Sequence, residues 1–184
     1  MRMVENPTGA SFGWAMWAGT FAMVAIATMA TGMPCALSMS YEEHQHYSGK
    51  RCPAYSNGRL ACDENGKIIA TEFDCGLDHG AYSDLGDDLT TRPARFMLFP
   101  YYVPNAVGLV RVANTNHSFG IAYRGYGSPQ IYTIGEALVD MLAEKAGIDP
   151  FEFRWRNIAR PGDTNINSWA YPQFPMEDMM KKMK

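Results

Sequence analysis

A long stretch without formal charge, between Glu5 and Glu42, constrains this chain more than any other feature. Residues 12–37 within it are mostly apolar and long enough to cross a bilayer. Arg2 and the small residues of ATMATG would also suit a signal peptide with its cleavage site. Glycines and threonines dilute the apolar run, and Glu5 opposes a positively charged start, so we favour a buried helix of a soluble fold over a membrane span.

The same stretch predicts two elements. Gly13 begins a long apolar helix, and Gly32 with Pro34 ends it. Large apolar side chains cover much of its circumference, which indicates burial between layers. Residues 35–41 then alternate apolar and small polar side chains, and this period of two predicts a strand.

The dipeptide Asn65-Gly66 predicts a β-hairpin. It follows Glu64 between two β-prone runs, residues 55–63 and 67–75, and Asn-Gly in that setting is a strong hairpin signal. A long connection over 76–106 must be packed or functional, because idle loops of that length are uncommon in compact domains. It leads to a further predicted strand over 108–114.

Two helices are predicted in the last third of the chain. Thr133-x-x-Glu136 is typical of a capping box, and it predicts a helix over 134–146 that ends at Gly147. The apolar stripe of this helix consists of Leu138, Met141 and Leu142. Asp149-Pro150 predicts a second, short helix. Interleaved helices and strands without a Rossmann-type phosphate loop favour an α+β fold over a doubly wound sheet.

Charge and cysteine spacing exclude several classes. A net charge of −3 over 184 residues creates no field that gathers phosphates, so binding to nucleic acids or anionic membranes is not expected. The four cysteines match neither zinc nor ferredoxin spacing, so no iron–sulfur cluster is expected in this chain. They are Cys35, Cys52, Cys62 and Cys75. Reduced thiols in a cytoplasmic protein are favoured over a disulfide framework.

The polar segment at residues 42–46 is a candidate metal site. His44 and His46 would share one face of a strand beside Glu42 and Glu43. No further ligand follows at a definite spacing, so a polar strand end is the preferred interpretation, and no metal site is predicted. Motifs of serine hydrolases, zinc proteases and P-loop enzymes are absent from the sequence.

Two glycine-bearing loops remain as candidate ligand sites. In ENPTGASFGWAM, Gly9 and Gly13 flank Phe12, and in residues 114–130 the run Arg124-Gly125-Tyr126-Gly127 directly precedes a helix. Glycines let the backbone approach a ligand closely, and exposed N–H groups can hold an anionic or oxo group. A plain tight turn remains the alternative for each loop.

These loops belong to a series of recognisable segments. In order, they are ENPTG, YEEHQHYSGKRCP, LDHGAYSDLG, NTNH, YRGYGSPQ, MLAEKAGIDPFEFRWRN and RPGDTN. Together they resemble the middle of the large subunit of molybdenum hydroxylases of the xanthine dehydrogenase and aldehyde oxidoreductase family, especially the bacterial aldehyde oxidoreductases. The resemblance implies that residues 1–184 are a partial molybdopterin-binding domain, with a long buried helix, an antiparallel hairpin, mixed strands and C-terminal helices.

The resemblance also implies a chemistry. In that family an oxo-sulfido molybdenum, held by molybdopterin or its cytosine dinucleotide form, hydroxylates an aldehyde or heteroaromatic carbon, and electrons leave through iron–sulfur clusters. The catalytic glutamate of the family, its Gln-Gly loops and its cluster cysteines have no counterpart in this sequence. We therefore expect a chain that is inactive alone and is completed by the remaining segments of the molybdenum subunit and an iron–sulfur domain or subunit.

The match assigns cofactor-binding roles to four residues. Phe12 and Gly13 match the Phe-Gly whose backbone borders the molybdenum. Arg124 and Gly125 match the arginine loop whose main chain lies beside the cofactor. The resemblance assigns no catalytic residue and no metal ligand to this chain.

Three further residues match substrate-binding positions. Tyr126 matches an aromatic residue that lines the substrate channel, and Arg92 matches an arginine that faces substrate in purine-oxidising members. Met16 stands where those members carry a substrate-facing glutamate, so selectivity for purines is not expected.

Two other functions compete with this hypothesis. One is a non-catalytic cofactor-binding or assembly module descended from such an enzyme, and the other is a small membrane-anchored protein. The resemblance favours a buried helix over a membrane anchor, and apolar surface left uncovered in the chain alone predicts self-association.

Overall fold

The chain has an α+β fold, as predicted, in a computed structural model that describes residues 2–4, 18–82 and 86–184. Three strands form one sheet, and helices lie before, between and after them. The elements are α1 (Ala18–Thr31), α2 (Tyr41–Tyr47), β1 (Ala54–Cys62), β2 (Ile68–Gly80), α3 (Gly86–Leu89), α4 (Thr91–Phe96), β3 (Ala106–Asn114), α5 (Ser128–Ala146), α6 (Pro150–Asn157) and α7 (Met176–Met183).

The predicted hairpin is confirmed, with β1 antiparallel to β2. Gly66 has the positive φ of 74° that its position in the turn requires. The carboxylate of Asp63 accepts hydrogen bonds from the N–H groups of Asn65 at 2.9 Å and Lys67 at 2.8 Å. One side chain thus fixes the turn that sets the register of both strands.

The strand predicted over 108–114 is also confirmed, and it pairs with β2 in parallel. A parallel pair needs a crossover, and the connection predicted over 76–106 supplies it. It contains the end of β2 and the short helices α3 and α4, which the sequence patterns did not predict. It is packed, as expected, since its buried residues belong to the main core: Leu89, Met97, Leu98, Tyr101 and Val103.

The helix α5 crosses the sheet and begins six residues earlier than predicted. Gly127 in the left-handed conformation and Pro129 in the first turn begin it, so the predicted capping box is wrong. Instead, the Thr133 hydroxyl donates to the Pro129 carbonyl at 2.7 Å. The buried side of the helix is a stripe at spacing four: Ile131, Gly135, Val139 and Ala143. Met141, predicted for the stripe, is 65% exposed.

The carboxylate of Glu136 links α5 to two other segments. It accepts hydrogen bonds from the Tyr101 hydroxyl at 2.9 Å and from Arg154 at 2.8 Å. Arg154 lies on α6, whose predicted cap is confirmed because the Asp149 side chain accepts the N–H of Glu152. Burial, followed by the nearby charge of Glu136, raises the pKa of Tyr101, so its hydroxyl stays a donor.

The strand predicted over 35–41 is wrong. Residues 34–40 pair with no strand, and α2 begins at Tyr41. A capping box causes this start: the N–H of Glu43 donates to the Ser40 hydroxyl at 3.2 Å, and the N–H of Ser40 donates to the Glu43 carboxylate at 2.8 Å. This local pair outweighs the apolar alternation before it.

The long apolar helix is confirmed as α1, which ends at Gly32 with a φ of 67°. Its predicted start at Gly13 lies outside the described residues. The predicted burial is not seen, because Ile26 and Met29 are 65% and 75% exposed. No other described element covers this side of the helix. In the described ranges no helix has both the length and the apolar content of a membrane crossing.

Asp78 lies near the C-terminal end of β2 and stabilises that end of the sheet. Its buried carboxylate accepts hydrogen bonds from the Thr115 hydroxyl at 2.6 Å, the Gly80 N–H at 2.9 Å and His117 at 2.5 Å. These bonds, first those from Thr115 and Gly80, lower the pKa of Asp78 below its ordinary value. The end of β2 is therefore tied to the segment that follows β3.

The lowered pKa of Asp78 predicts a loss of stability in acid. Such a carboxyl stabilises the fold fully above its unfolded pKa of about 4, and this contribution disappears as the pH falls through the lower folded pKa. Asp78→Asn should lower the thermal midpoint at neutral pH and flatten its decrease in acid. The control Asp178→Asn, whose side chain is 83% exposed, should do neither. Equal acid slopes for wild type and Asp78→Asn would contradict this role.

Candidate functional site

The loop of residues 123–127, here called the glycine loop, has an unusual backbone. Three consecutive residues have positive φ angles: Gly125 at 94°, Tyr126 at 41° and Gly127 at 89°. A residue with a side chain loses about 1–2 kcal/mol in this region. Two hydrogen bonds close the turn, from the Tyr126 N–H to the Tyr123 carbonyl at 2.7 Å and from the Ser128 N–H to the Gly125 carbonyl at 3.0 Å. The surroundings must hold such a conformation.

Both glycines of the loop are in close contact with neighbouring elements. A Cβ on Gly125 would lie 2.7 Å from two ring carbons of Pro129. A Cβ on Gly127 would lie 3.2 Å from the Pro93 ring and 3.3 Å from the Cβ of Arg92. The glycine loop therefore fits between α4 and the first turn of α5, and glycine is required there for space as well as for conformation.

The glycine loop presents backbone donors at the start of a long helix. Arg124 and Gly125 are exposed, and their N–H groups bond to no acceptor in the described part of the chain. Gly127 is the N-cap of α5, whose 19 residues direct the positive end of the helix dipole towards the loop. Free N–H groups at such a place favour an anionic or strongly polar oxygen.

The structure brings Arg92 and Tyr126, both predicted substrate-binding residues, close together. Arg92 is exposed on α4, and its guanidinium carbon lies 5.9 Å from the centre of the Phe96 ring. Burial, then the charge and hydrogen bond of Asp88, raises the pKa of Tyr126 to about 12, while Arg92 acts against the rise. The phenol is therefore protonated at neutral pH and donates to Asp88.

Two residues of this site were not predicted from the sequence. Asp88 holds the Tyr126 hydroxyl, and its position four residues before Arg92 is only a weak signal of this role. Arg51 donates from Nη2 to the Arg124 carbonyl at 2.5 Å, and its guanidinium carbon lies 4.6 Å from the centre of the Tyr123 ring. Its contact crosses 73 residues of sequence, so no local pattern could have revealed it.

The other predicted site residues are not brought to the glycine loop. Phe12, Gly13 and Met16 lie outside the described residues. His44 and His46 lie on the helix α2, where residues two apart point about 200° from each other, so they do not share a face. Across the described ranges, no group of three or more His, Cys, Asp or Glu side chains is placed to hold a metal ion.

Residues 1–158 match the family model of the molybdopterin cofactor-binding domain. Aldehyde oxidoreductase of Megalodesulfovibrio gigas is 44% identical over 182 residues, which cover 99% of this chain and 20% of that protein. The chain thus spans about a fifth of the length of this relative.

Solved structures show the same fold. The aldehyde oxidoreductase of Desulfovibrio gigas superposes with a TM-score of 0.90 at 45% identity, covering 97% of this chain and 20% of that one. The enzyme of Desulfovibrio desulfuricans ATCC 27774 gives a TM-score of 0.88 at 44% identity, with 96% and 19% covered. With a family match over most of its length, this chain belongs to the molybdopterin cofactor-binding domain family.

Proposed function

We propose that this chain forms one part of the molybdenum-pyranopterin site of a hydroxylase that oxidises aldehydes or heteroaromatic compounds. The observation that carries the proposal is the glycine loop. It presents the N–H groups of Arg124 and Gly125, which have no acceptor among the described residues, beside the N-terminus of α5. The family match and the similarity to an aldehyde oxidoreductase support it. In this proposal the chain supplies backbone donors and channel walls.

The residues present fit this cofactor. A pyranopterin carries phosphate oxygens, and its molybdenum carries oxo groups, all of which accept hydrogen bonds. The exposed N–H groups of Arg124 and Gly125 are donors of the right kind, and the helix N-terminus adds a favourable field. When bound, the cofactor supplies the redox chemistry, while the protein binds and orients it. We extend the same role to Phe12 and Gly13, whose backbone would border the molybdenum.

Tyr126, Arg92 and Met16 would form the substrate side of the site. Because Asp88 accepts the Tyr126 hydroxyl, the ring is held in one orientation and presents a fixed aromatic face. Arg92 offers an exposed positive charge near that ring. Met16 carries no acid that would hold a purine, so an aldehyde is the favoured substrate class.

The described residues do not account for every part of the proposed site. The carboxylate that meets the glycine loop in the described structure, Asp88, is already engaged by the Tyr126 hydroxyl. Asp88 is therefore not assigned as the general base that the reaction needs. We propose that the remaining segments of the molybdenum subunit supply it, and that an iron–sulfur domain or subunit takes up the electrons. The cofactor would be molybdopterin or its cytosine dinucleotide form, in a cytoplasmic enzyme.

The engagement of Asp88 also favours a second candidate, a non-catalytic cofactor-binding or assembly module. The two functions differ in turnover. Molybdenum and pterin content should be measured for the chain produced alone and together with the remaining segments of such a subunit, alongside aldehyde oxidation with an artificial electron acceptor. Oxidation by the complete assembly alone supports the hydroxylase, and bound cofactor without turnover supports the module. Turnover by this chain alone would refute our assignment.

Substitutions in the glycine loop test whether it acts through its backbone. Gly125→Ala adds a Cβ at a φ of 94° and 2.7 Å from Pro129, so it should displace the N–H donors of the loop. Molybdenum content should then fall at least tenfold, which is on the order of the effect of losing one charge-assisted hydrogen bond. Arg124→Lys keeps the charge and the N–H, and it should lower the content far less.

Gly147→Ala is the matched control for this pair. Gly147 also has a positive φ, of 67°, but a Cβ added there would have no neighbouring atom within 4 Å, and the residue ends α5 far from the loop. It should cost stability without loss of molybdenum per folded chain. Retention of cofactor by Gly125→Ala together with its loss in Arg124→Lys would overturn the backbone account and assign the contact to the guanidinium.

The exposed side of α1 predicts self-association of the chain when it is produced alone. Met23, Ile26 and Met29 are 46%, 65% and 75% exposed on one helix, which is typical of a surface that a partner covers. Sedimentation at tens of micromolar should show oligomers that bind a hydrophobic dye. The double variant Ile26→Lys, Met29→Lys should shift the chain towards monomer. The same two substitutions should also weaken its assembly with the remaining segments of the subunit. A monomeric wild type without dye binding would exclude this role for α1.

A further inference from the structure

We propose that Arg51 is a positioning residue whose guanidinium sets the direction in which the Gly125 N–H points. The role of that N–H towards the cofactor rests on the proposed function, whereas the effect of Arg51 on the loop backbone does not. Arg51 lies outside the glycine loop, in a segment more than 70 residues earlier in the chain.

The main chain beside Arg51 is anchored next to the segment that leads into the glycine loop. The Lys50 N–H donates to the Phe119 carbonyl at 3.0 Å, and the Lys50 carbonyl accepts the Ile121 N–H at 3.1 Å. Lys50 thereby forms a parallel bridge with Gly120. The Cα of Arg51 is consequently held at a fixed place beside the residues that precede the loop.

A further bond anchors the other side of Arg51 to α5. The carbonyl of Cys52 accepts a hydrogen bond from the side-chain amide of Gln130 at 3.0 Å. Gln130 lies in the first turn of α5, immediately after the glycine loop. The residues before and after Arg51 are thus bonded to the segments before and after the loop, and its side chain crosses between them.

The guanidinium acts on two neighbouring loop residues at once. Its Nη2 donates to the Arg124 carbonyl at 2.5 Å, and its plane lies over the ring of Tyr123, with the guanidinium carbon 4.6 Å from the ring centre. The ring contact is a cation–π interaction. One rigid group therefore fixes both the ring of Tyr123 and the carbonyl of Arg124.

Peptide planarity carries this effect to the cofactor side. The carbonyl of Arg124 and the N–H of Gly125 belong to the same peptide unit, and in a trans peptide they point in opposite directions. Because Arg51 holds the carbonyl, it also aims the N–H away from itself. Gly125 has no Cβ to restrict its conformation, so without this bond the peptide could rotate at little cost.

The hydrogen bonding of Arg51 also suits a residue devoted to the loop. Its Nη1 is buried and has no hydrogen-bond partner in the described part of the chain. A guanidinium that only stabilised packing would be expected to have its buried donors paired, because an unpaired buried donor is unfavourable. The position of Arg51 is therefore explained better by its contacts with the loop than by its own stability.

Hydrogen exchange in the cofactor-free protein tests the positioning directly. The amides of Tyr126 and Ser128 close the loop turn and report on its opening. In Arg51→Met the exchange rates of these two amides should rise on the order of tenfold, because the variant loses a hydrogen bond from a charged group. Arg51→Lys keeps a donor but not the planar fork, so it should give an intermediate rise and remains usable if the Met variant fails to fold.

Arg156→Lys is the matched control. Arg156 also donates from a guanidinium to a turn carbonyl, that of Asn65 at 2.8 Å, but at the hairpin. Its replacement should raise exchange at Gly66, whose N–H closes that turn, and leave Tyr126 and Ser128 unchanged. Unchanged exchange at Tyr126 and Ser128 in folded Arg51 variants would overturn the proposal.

Cofactor content separates this proposal from the proposed function. In the assembly with the remaining subunit segments, molybdenum per folded chain should fall at least severalfold in Arg51→Lys at an unchanged thermal midpoint, and stay at the wild-type level in Arg156→Lys. Faster loop exchange with undiminished molybdenum would overturn the role of Arg51 towards the cofactor. A wild type that binds no molybdenum would refute the proposed function, while the exchange experiment would still decide whether Arg51 orients the loop.

Discussion

The carboxylate of Glu136 is the interaction on which the arrangement of this chain depends most. It joins the Tyr101 hydroxyl, at the end of the crossover, to Arg154 on α6, and both partners meet it in the middle of α5. The buried stripe of α5 alone would allow the helix to slide or rotate on the sheet, because apolar contacts are not directional. The charged hydrogen bonds remove that freedom, and so they fix the position of α5 relative to the crossover and α6.

The fixed position of α5 supports the glycine loop, but it does not determine the backbone conformation of the loop. Three positive φ angles in succession form a conformation that few neighbours would maintain by packing alone. The loop is held from three sides: by α4 against Gly127, by Pro129 against Gly125, and by Arg51 at the Arg124 carbonyl. This division between a rigid scaffold and a constrained loop is common where backbone groups bind ligands.

Local signals predicted those elements whose cause is local. The hairpin and α6 follow from Asp63, Gly66 and Asp149, which act within four residues of themselves. Tertiary contacts explain two of the failed predictions: Glu136 has the spacing of a capping residue but binds Tyr101 and Arg154, and Met141 is exposed although the predicted stripe included it. Part of the site could be predicted from the sequence, because the glycines mark the loop. Arg51 could not be predicted, because it reaches the loop from a distant segment.

The charge near the glycine loop differs from the net charge of the chain. The chain as a whole is acidic, and three arginines nevertheless meet around the glycine loop. They are not equivalent: Arg51 donates to the Arg124 carbonyl, whereas the guanidinium carbon of Arg92 lies 5.9 Å from the centre of the Phe96 ring. Arg124 is exposed next to the positive end of the α5 dipole. An anion that approaches this loop therefore meets a positive field that the net charge of −3 conceals, and its final position is set by the backbone donors beneath that charge.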